Sequence, residues 1–579
     1  MEKKEYRKAK MVNWFEPKML FQTAIKSVIS GLFGNYADRR EMEAALATNK
    51  NNDNTDEPLY KQDNDIWIDF ISDTGDGFNS TYSVALTAAR PSLTVTVNGI
   101  EKELPRGKIL LLGGDQIYPT PTSEIYDSKF RVPFKAAFPE SKEVARTHMY
   151  AIPGNHDWYD GLGNFMKVFC QQRWIGNYET HQQRSYFAIS LPHNYWIWAT
   201  DIQLNEDIDQ PQLNYFLDIA RNKMAAGDKV ILCTAEPAWV YKQLYKEDKS
   251  YEKLRFFIET YITEDRINCV GKVFELATVL TGDLHHYSHY CAANEKGNSN
   301  HYFGAGGGGA FLHLTHFLPE KLDKLKEADL KLQQTFPDKD QSRGLLMGNL
   351  IFPLKNYYFA SLLGGIYILF FWLMQNYSLS MNDISYLESI SDKSFPDFLS
   401  VTLGLFLSTP FLTVLSLLII VGFVKFTDTK TGLKTAGLIG FIHGAIQFLL
   451  IFFMMWRIAV IHPGHVKVEM DYWYWEIIFA AELFLLGAIA GGFLMGFYLY
   501  FTNRLAGIHI DESSSSLACE DYKNFIRMHV SAEGLTIYPI GITKVTKNWE
   551  QHINGDDISF TGDAPAFHLI EDPIIIKNK

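Results

Sequence analysis

The sequence lacks the features that bind nucleic acid, and it lacks a cysteine-based zinc or redox motif. Its 579 residues carry a formal net charge of -12 and contain no long run of Lys or Arg. Because a phosphate backbone needs clustered positive charge, this composition argues against a nucleic-acid partner. The five cysteines are scattered and form no C-x-x-C pair, as expected for reduced and mostly buried thiols.

A secretory signal is also missing from the N-terminal residues. The segment from Met1 to Lys10 is charged, and no apolar core with a small-residue cleavage site follows it. The sequence therefore predicts that the first half of the chain resides on the cytoplasmic side of a membrane. No pattern indicates an oligomeric state.

The length predicts three or four structural units rather than one core. Residues 14–33 have the apolar spacing of an amphipathic helix, and the Asn- and Asp-rich run from Thr48 to Pro58 is typical of a linker. The predicted units are an N-terminal helix and linker over 1–58, a domain of strands and helices over 59–317, an amphipathic helical linker over 318–356, an apolar region over 357–503, and a β-rich tail over 504–579.

Four apolar stretches in the membrane region are each long enough to cross a hydrocarbon core of about 30 Å. They lie at about 357–374, 398–424, 435–456 and 477–501. The chain is therefore predicted to be a multi-pass membrane protein in contact with lipid. The segments that flank these stretches carry positive residues such as Arg343, Lys355, Lys434 and Arg504. Because Lys and Arg are enriched on the cytoplasmic side of a membrane, both soluble parts are predicted to face the cytoplasm.

Short apolar runs separated by polar loops recur from Ile66 onward, and they predict strands buried on both faces of a sheet. Functional side chains are expected where such strands end. The predicted strands are Ile66 to Ser72, Ile109 to Leu112, His148 to Ile152, Tyr195 to Thr200, Val230 to Cys233 and Leu276 to Leu280.

Five of the polar loops carry potential metal ligands. They read Asp73-Thr74-Gly75-Asp76, Gly114-Asp115-Gln116-Ile117-Tyr118, Gly154-Asn155-His156-Asp157, Ala235-Glu236-Pro237 and Gly282-Asp283-Leu284-His285-His286. Two divalent ions about 3.5 to 4 Å apart need a bridging carboxylate, for which Asp115 is the natural candidate. The third loop offers a ligand in Asn155, a general acid in His156 and an orienting partner in Asp157. The alternative is a polar turn in which Asn and Asp bind their own backbone.

The order of these loops resembles that of the calcineurin-like metallophosphoesterase superfamily, and D-x-G followed by G-D-x-x-Y looks more like its purple acid phosphatase branch. The resemblance covers residues 65–315 and implies a four-layer α/β/β/α sandwich, here followed by an all-α transmembrane region of four helices and a small β-rich tail. It also implies two sets of metal ligands and a general acid, His156. The first set is Asp73, Asp115 and His285, with Tyr118 or Asp76 as an additional candidate, and the second is Asp115, Asn155, Glu236 and Asp283.

Two positions depart from the family pattern, because Glu236 and Asp283 stand where histidines are expected. Oxygen-rich ligand sets favour Mn²⁺ or Mg²⁺ over Zn²⁺, and Fe is a further candidate. His286 or His289 is a candidate to replace a lost ligand, although a second histidine beside a metal site more often supports a ligand or belongs to the core. Trp158 and Tyr159 are candidates for substrate binding or for packing.

The predicted activity is that of a membrane-anchored phosphoric ester hydrolase, in which a metal-bound hydroxide attacks a phosphomonoester or phosphodiester. The predicted substrate is a phosphorylated small molecule or a lipid-linked phosphate. One alternative is a catalytically impaired sensor or scaffold that binds metal and recognises a phosphorylated ligand. Another is a transporter with a regulatory phosphoesterase-like domain, in which His443 and Glu482 inside the spans would serve transport. A simpler explanation of these two residues is that His443 binds a neighbouring helix and that Glu482 reaches the membrane interface.

Overall fold

The chain folds into two compact units, each with its own core. The computed structural model describes residues 6–22, 60–202, 208–245, 248–266, 270–293, 299–322, 330–391, 393–427, 433–461, 473–555 and 557–578. The unit that we call the sandwich unit contains the described residues of 6–12, 60–343 and 518–578, and the helical unit contains those of 13–22 and 344–517. The predicted linker from Thr48 to Pro58 lies outside the described residues.

The sandwich unit is built on β-strands. They are β1 (Ile66–Ile71), β2 (Ser92–Val97), β3 (Ile100–Pro105), β4 (Ile109–Leu112), β5 (Thr147–Ala151), β6 (Trp174–Ile175), β7 (Tyr178–Thr180), β8 (Phe187–Ser190), β9 (Tyr195–Ala199), β10 (Lys229–Cys233), β11 (Glu275–Thr281), β12 (Tyr287–Ala293), β13 (Ser299–Ala305), β14 (Lys321–Leu322), β15 (Leu330–Phe336), β16 (Lys523–Ser531), β17 (Gly534–Ile542), β18 (Glu550–Asn554), β19 (Asp557–Thr561), β20 (His568–Leu569) and β21 (Ile574–Lys577).

Helices flank these strands on both sides. They are α1 (Phe78–Ala88), α2 (Ser123–Ile125), α3 (Val132–Ala137), α4 (Asn155–Trp158), α5 (Gly163–Phe169), α6 (Gln210–Asn222), α7 (Ala238–Leu244), α8 (Ser250–Ile258) and α9 (Lys339–Leu346).

Two large sheets form the centre of the sandwich unit. The first has the order β20-β17-β16-β1-β4-β5-β7-β6, with β21 beside β17, and the second has the order β14-β15-β12-β13-β11-β10-β9-β8. One buried apolar cluster lies between the sheets, and a further cluster on the outer face of each sheet packs against helices. The predicted four-layer α/β/β/α arrangement is confirmed. All six predicted strands are present as β1, β4, β5, β9, β10 and β11, with ends within one residue of the prediction.

The β-rich tail is an integral part of the first sheet. Strand β16 pairs antiparallel with β1, and β17 continues the sheet beyond β16. The buried guanidinium of Arg527 in β16 donates from Nε to Asp69 Oδ1 in β1 at 2.6 Å and from Nη2 to Asp69 Oδ2 at 3.0 Å. The tail therefore completes the core rather than forming a separate domain.

The amphipathic helix predicted for residues 318–356 is wrong over 330–336, where β15 pairs antiparallel with β12. Its sequence Leu-Lys-Leu-Gln-Gln-Thr-Phe alternates apolar and polar residues at its start, which suits a strand at a sheet edge. The helix α9 begins only at Lys339. The predicted boundary at residue 317 therefore divides one sheet.

The helical unit contains three helices that are each long and apolar enough to cross a membrane, and a bent pair that would make a fourth span. Its helices are α10 (Phe352–Lys355), α11 (Tyr357–Asn382), α12 (Tyr386–Ile390), α13 (Phe395–Ser408), α14 (Pro410–Phe426), α15 (Leu433–Ile461), α16 (Trp473–Ala506) and α17 (Ile510–Ser515). The three long helices α11, α15 and α16 correspond to the first, third and fourth predicted spans. In the N-terminal segment, residues 17–22 are helical and the ring of Phe15 packs on Phe352, while 23–33 lie outside the described residues.

The second predicted span, 398–424, is not one straight helix. It is broken at Thr409, and α13 and α14 meet at an angle of 96°. The cause is Pro410, which has no N–H to continue the helical hydrogen bonds and whose ring disfavours helical geometry in the preceding residue.

Polar side chains inside the helical unit pair with one another. The ring of His443 in α15 stacks on Tyr498 in α16 with centroids 4.0 Å apart, and its Nε2 lies 3.5 Å from Gln447 Nε2. Tyr367 in α11 donates to Gln447 Oε1 at 3.1 Å. These contacts join three helices, which supports the interpretation of His443 as a contact between helices.

Candidate metal centre

The polar loops that follow strands of both sheets meet at one edge of the sandwich unit. The backbone N–H of Asp73 after β1 donates to Gly114 O after β4 at 3.0 Å, and that of Asp283 after β11 donates to the Asp73 carboxylate at 2.9 Å. Asp73, Asp115 and Asp283 have φ angles of 58°, 47° and 69°. Left-handed backbone is uncommon for residues other than Gly and clusters at functional sites.

Three predicted ligands of the first ion surround one hydroxyl group, that of the fully buried Tyr118. The Tyr118 oxygen lies 3.0 Å from Asp73 Oδ1, 3.2 Å from Asp115 Oδ2 and 2.9 Å from His285 Nε2. His285 Nδ1 is held by the carbonyl of Phe311 at 2.9 Å, which leaves Nε2 directed at the carboxylates. The structure thus brings together Asp73, Asp115, Tyr118 and His285.

The short helix α4, which follows β5, adds the amide of Asn155. Its Oδ1 is buried and has no hydrogen-bond partner among the described residues, which is unfavourable unless the oxygen binds something else. The backbone N–H of His156 donates to Asp115 Oδ1 at 2.8 Å. A Cβ on Gly154 would lie 2.0 Å from Asp115 Oδ1, so only glycine allows this loop to approach Asp115.

The departures from the family pattern, Glu236 and Asp283, lie on adjacent strand ends. The N–H of Gly282 donates to Ala235 O at 3.1 Å, so the loops after β10 and β11 run side by side. The hydroxyl of Tyr241 in α7 donates to Asp283 Oδ2. Burial, followed by the charge of Asp283, raises the pKa of Tyr241 well above its usual range, and the charge of Glu236 adds to this shift. Glu236 is buried, and the loop that carries it lies next to the loop of Asp283.

The negative charges of these buried carboxylates are unfavourable in the absence of a cation. Burial, followed by the charge of Asp283, raises the pKa of Asp73 well above its usual range. Burial and the charges of Asp73, Asp157 and Asp283 do the same for Asp115. Together with the unpaired Asn155 oxygen, these buried oxygens fit divalent cations, which would neutralise them and complete their coordination.

The predicted role of Asp157 as the orienting partner of His156 is wrong. The Asp157 carboxylate accepts hydrogen bonds from Gly154 N at 2.9 Å, from Gln116 N at 3.2 Å and from the Tyr126 hydroxyl, and so it holds the loop. Burial raises its pKa to about 7. His156 is instead oriented by the carbonyl of Pro119, which lies 2.9 Å from Nδ1.

Asp76, predicted as an additional ligand, serves the scaffold instead. It accepts hydrogen bonds from Val12 N at 2.7 Å and Phe311 N at 3.2 Å, and it lies 4.0 Å from Lys129 Nζ. These partners engage both of its oxygens, whereas Asp73 three residues earlier contacts Tyr118 and the loop of Asp283.

The two aromatic residues after His156 differ in position. Trp158 is buried and donates from Nε1 to Asp201 Oδ1 at 3.0 Å, which indicates packing. The Tyr159 ring lies 4.9 Å from the His156 ring, and burial with the charges of Asp115 and Asp283 raises its pKa to about 12. Tyr159 therefore lies near the carboxylates, whereas Trp158 is part of the buried packing.

The surplus histidines also separate. His286 is buried, with Nδ1 3.2 Å from His313 O and with Nε2 lacking a hydrogen-bond partner among the described residues. His289 lies 3.1 Å from Glu571 and 2.9 Å from His301 through its two ring nitrogens, so both nitrogens are engaged elsewhere. Of these two histidines, only His286 has a ring nitrogen that could bind a metal ion.

Sequence reasoning missed several residues that support the site. Tyr241, Tyr126 and the Pro119 carbonyl contact Asp283, Asp157 and His156, and Lys523 from β16 donates to Ala310 O at 2.6 Å beside the Gly-rich segment. Burial lowers the pKa of Lys523 to about 8. A tyrosine five residues after Glu236 is a weak signal, and nothing local links a lysine more than 200 residues away to this site.

The run of glycines after β13 passes directly beneath the carboxylates. Gly308 N donates to Ser72 O at 2.8 Å, and a Cβ on Gly306 would lie 2.7 Å from Asp73 Oδ2. Glycine at position 306 therefore allows the backbone to pass close to the Asp73 carboxylate.

Comparisons with known proteins identify the segment that contains these loops. A model of the calcineurin-like phosphoesterase family matches residues 66–287. Among solved structures, the chain is similar to GAP50, the anchor in the inner membrane complex of Plasmodium, with 12% identity, a TM-score of 0.31 and coverage of 47% of this chain and 80% of that one. It is similar to PhoD with 12% identity, a TM-score of 0.25 and coverage of 43% and 58%. No curated protein matches the chain.

Proposed function

We propose that this protein hydrolyses a phosphomonoester or phosphodiester with two divalent metal ions, because a model of the calcineurin-like phosphoesterase family matches residues 66–287. The observation that carries the proposal is the convergence of Asp73, Asp115 and His285 on the Tyr118 hydroxyl. Several buried carboxylates and an imidazole in mutual contact suit a metal site better than a structural core.

The proposal assigns these side chains to two ligand sets. Asp73, Asp115 and His285, with Tyr118 between them, would hold one ion, and Asp115, Asn155, Asp283 and Glu236 would hold the other. Carboxylate and amide oxygens outnumber imidazoles, which favours Mn²⁺ or Mg²⁺. When bound, such ions neutralise phosphoryl oxygens and provide a nucleophile at neutral pH.

His156 is the proposed general acid. The Pro119 carbonyl can only accept a hydrogen bond, so Nδ1 carries a hydrogen and Nε2 is the atom that exchanges a proton with the departing oxygen. Burial lowers the pKa of His156 to about 4, which keeps the imidazole neutral until negative charge arrives. A bound phosphate supplies that charge and favours the protonated ring.

Replacement of His156 by Ala tests this role. We expect His156→Ala to lower kcat for an alkyl phosphate by about 10²- to 10⁴-fold, because an alkoxide needs a proton in order to leave. The loss for p-nitrophenyl phosphate should be much smaller, since nitrophenolate leaves without protonation. Steady-state hydrolysis of both esters by the purified full chain measures the difference.

The matched control is His552→Ala, which removes an exposed histidine whose Nε2 lies 2.7 Å from Thr561 Oγ1 in the β18–β19 hairpin. It should leave both rates unchanged. Equal losses for the two esters in His156→Ala would contradict the assignment of a general acid.

The apolar helices are proposed to anchor the domain with its metal centre and tail on the cytoplasmic side. The support is the distribution of positive charge, with Lys425 and Lys434 between the second and third spans and Arg504 after the fourth. An epitope tag placed after Lys579 should be reached by antibody only after permeabilisation of intact cells. Labelling of intact cells would contradict this orientation.

The proposed substrates are small phosphorylated molecules and lipid-linked phosphates. A membrane anchor favours the second class, because it keeps the metal centre near the membrane. Comparison of a phospholipid headgroup ester in mixed micelles with its water-soluble analogue tests this preference. A higher kcat/KM for the soluble analogue would count against the lipid-linked class.

A further inference from the structure

A second group of potential metal ligands lies at the opposite end of β5 from His156. It contains His148 in β5, Glu179 in β7 and His181 immediately after β7, and one ligand atom from each lies within 4.8 Å of the others. His148 and Glu179 are register partners in a parallel strand pair, and His181 follows Glu179 by two residues. All three side chains therefore project from the same face of the sheet.

The local contacts direct ring nitrogens into this group. His181 Nε2 is buried, lies 4.0 Å from Glu179 Oε1 and has no hydrogen-bond partner among the described residues. The rings of His148 and His181 have centroids 4.1 Å apart. The Tyr60 hydroxyl binds His148 Nδ1 and is itself 3.1 Å from the Tyr150 hydroxyl, so Nε2 of His148 is left for a ligand.

The neighbouring cations have carboxylate partners of their own. Arg146 Nη1 lies 3.8 Å from Glu179 Oε2, but its Nη2 pairs with Glu140 at 3.1 Å. Lys108 Nζ pairs with Asp63 at 2.7 Å. Glu179 Oε1, which faces His181, is therefore not the main counter-ion of either cation.

We propose that His148, Glu179 and His181 bind one Zn²⁺ or a similar transition-metal ion. Two imidazoles and one carboxylate are donors that Zn²⁺ accepts at about 2.0–2.2 Å, and the three ligand atoms lie within 4.8 Å of one another. The hydrogen bond from Tyr60 to the second ring nitrogen of His148 is the kind of contact that orients a ligating histidine. The ion would tie β5 to β7 near the edge of the first sheet.

This site differs in chemistry from the carboxylate-rich centre at the other end of the sandwich. Its donor set is rich in nitrogen, which favours Zn²⁺ over Mg²⁺, and three protein ligands leave one position for water or an outside group. The inference does not rest on the proposed hydrolysis, because none of its three ligands belongs to the loops of Asp73, Asp115 and Asp283.

Zinc binding by the purified full chain and its variants tests the proposal. After equilibrium dialysis against buffered Zn²⁺, the variant His181→Gln should retain one equivalent less than the unmodified chain, and Tyr60→Phe should bind that ion about 10- to 100-fold more weakly. The same one-equivalent difference should persist when His181→Gln is made in an Asp115→Asn background. Because Asp115→Asn alters only the proposed site at the strand ends, a difference that persists in this background belongs to the site of His181.

The control is His529→Gln, which replaces a histidine on the same sheet with a side-chain exposure of 21%, against 22% for His181. It should retain all the Zn²⁺. If His181→Gln does not fold, Glu179→Gln, whose side chain is 30% exposed, gives the same comparison. Equal Zn²⁺ content and an equal Zn²⁺-induced rise in Tm in the ligand variants and the unmodified chain would overturn the proposal.

Discussion

We expect Asp115→Asn to lower kcat for hydrolysis of an aryl phosphate by about 10³-fold, the size of effect seen when a group that stabilises transition-state charge is lost. The amide can keep the contact between Oδ1 and His156 N while removing the charge that both proposed ions share. Steady-state kinetics of the purified full chain in Mn²⁺ measures the loss.

The same substitution should not destabilise the metal-free protein. Burial and three neighbouring carboxylates raise the pKa of Asp115, so its negative charge is unfavourable when no cation is present. We therefore expect Asp115→Asn to raise Tm in chelator and to reduce the stabilisation by Mn²⁺. A variant that loses activity only because it unfolds would show a lower Tm instead.

Asp127→Asn is the matched control, because it removes a carboxylate that is 51% exposed and paired with Arg131. Surface changes of this kind cost little, about 0.5 kcal/mol or less. Hydrolysis should be unaffected. Full activity in Asp115→Asn would remove Asp115 from the proposed site.

The largest expected effect on stability comes from Arg527→Met. The buried guanidinium binds Asp69 through two nitrogens and also donates to Leu104 O at 2.9 Å and Ala88 O at 2.8 Å. Its loss leaves the Asp69 carboxylate buried without its partner, which costs about 3–5 kcal/mol. Thermal unfolding of the full chain in detergent should show a fall in Tm of roughly 5–15 °C.

Two further variants separate this ion pair from general damage to β16. Arg131→Met removes an arginine of an exposed i,i+4 pair and should cost about 1 kcal/mol at most. Adding Asp69→Leu to Arg527→Met removes the unpaired charge and should recover part of the lost Tm. No recovery in the double variant, or no loss in Arg527→Met, would contradict an integral role of the tail.

The parts of the fold that were predictable have local signals. The run Ile109–Leu112 is apolar at every position and ends in Gly-Gly-Asp, which is sufficient to indicate a buried strand with a polar tip. The spans at α11, α15 and α16 are likewise evident from their length and apolar composition. Strand pairing across long separations has no such signal, so the insertion of β16 beside β1 could not be placed from the sequence.

In the candidate site, too, some residues were predictable from local sequence and others were not. Motif order identified Asp73, Asp115, Asn155 and His285, and their positions agree with a common centre. Their supporting contacts depend on tertiary packing, as with Tyr241 on Asp283 and Pro119 on His156. The roles predicted for Asp76 and Asp157 failed because either carboxylate can bind backbone N–H groups, and a sequence does not show which N–H groups will be near.

The central claim is that buried strand-end carboxylates hold two catalytic ions, and a metal titration of phosphate ester hydrolysis tests it most directly. The purified full chain is stripped with chelator, and hydrolysis of aryl phosphate mono- and diesters is followed while Mn²⁺ is added. We predict no turnover without metal, recovery that requires two equivalents of Mn²⁺, and no recovery in Asp115→Asn. Hydrolysis that persists in chelator, or stoichiometric Mn²⁺ binding without turnover of either ester, would contradict it.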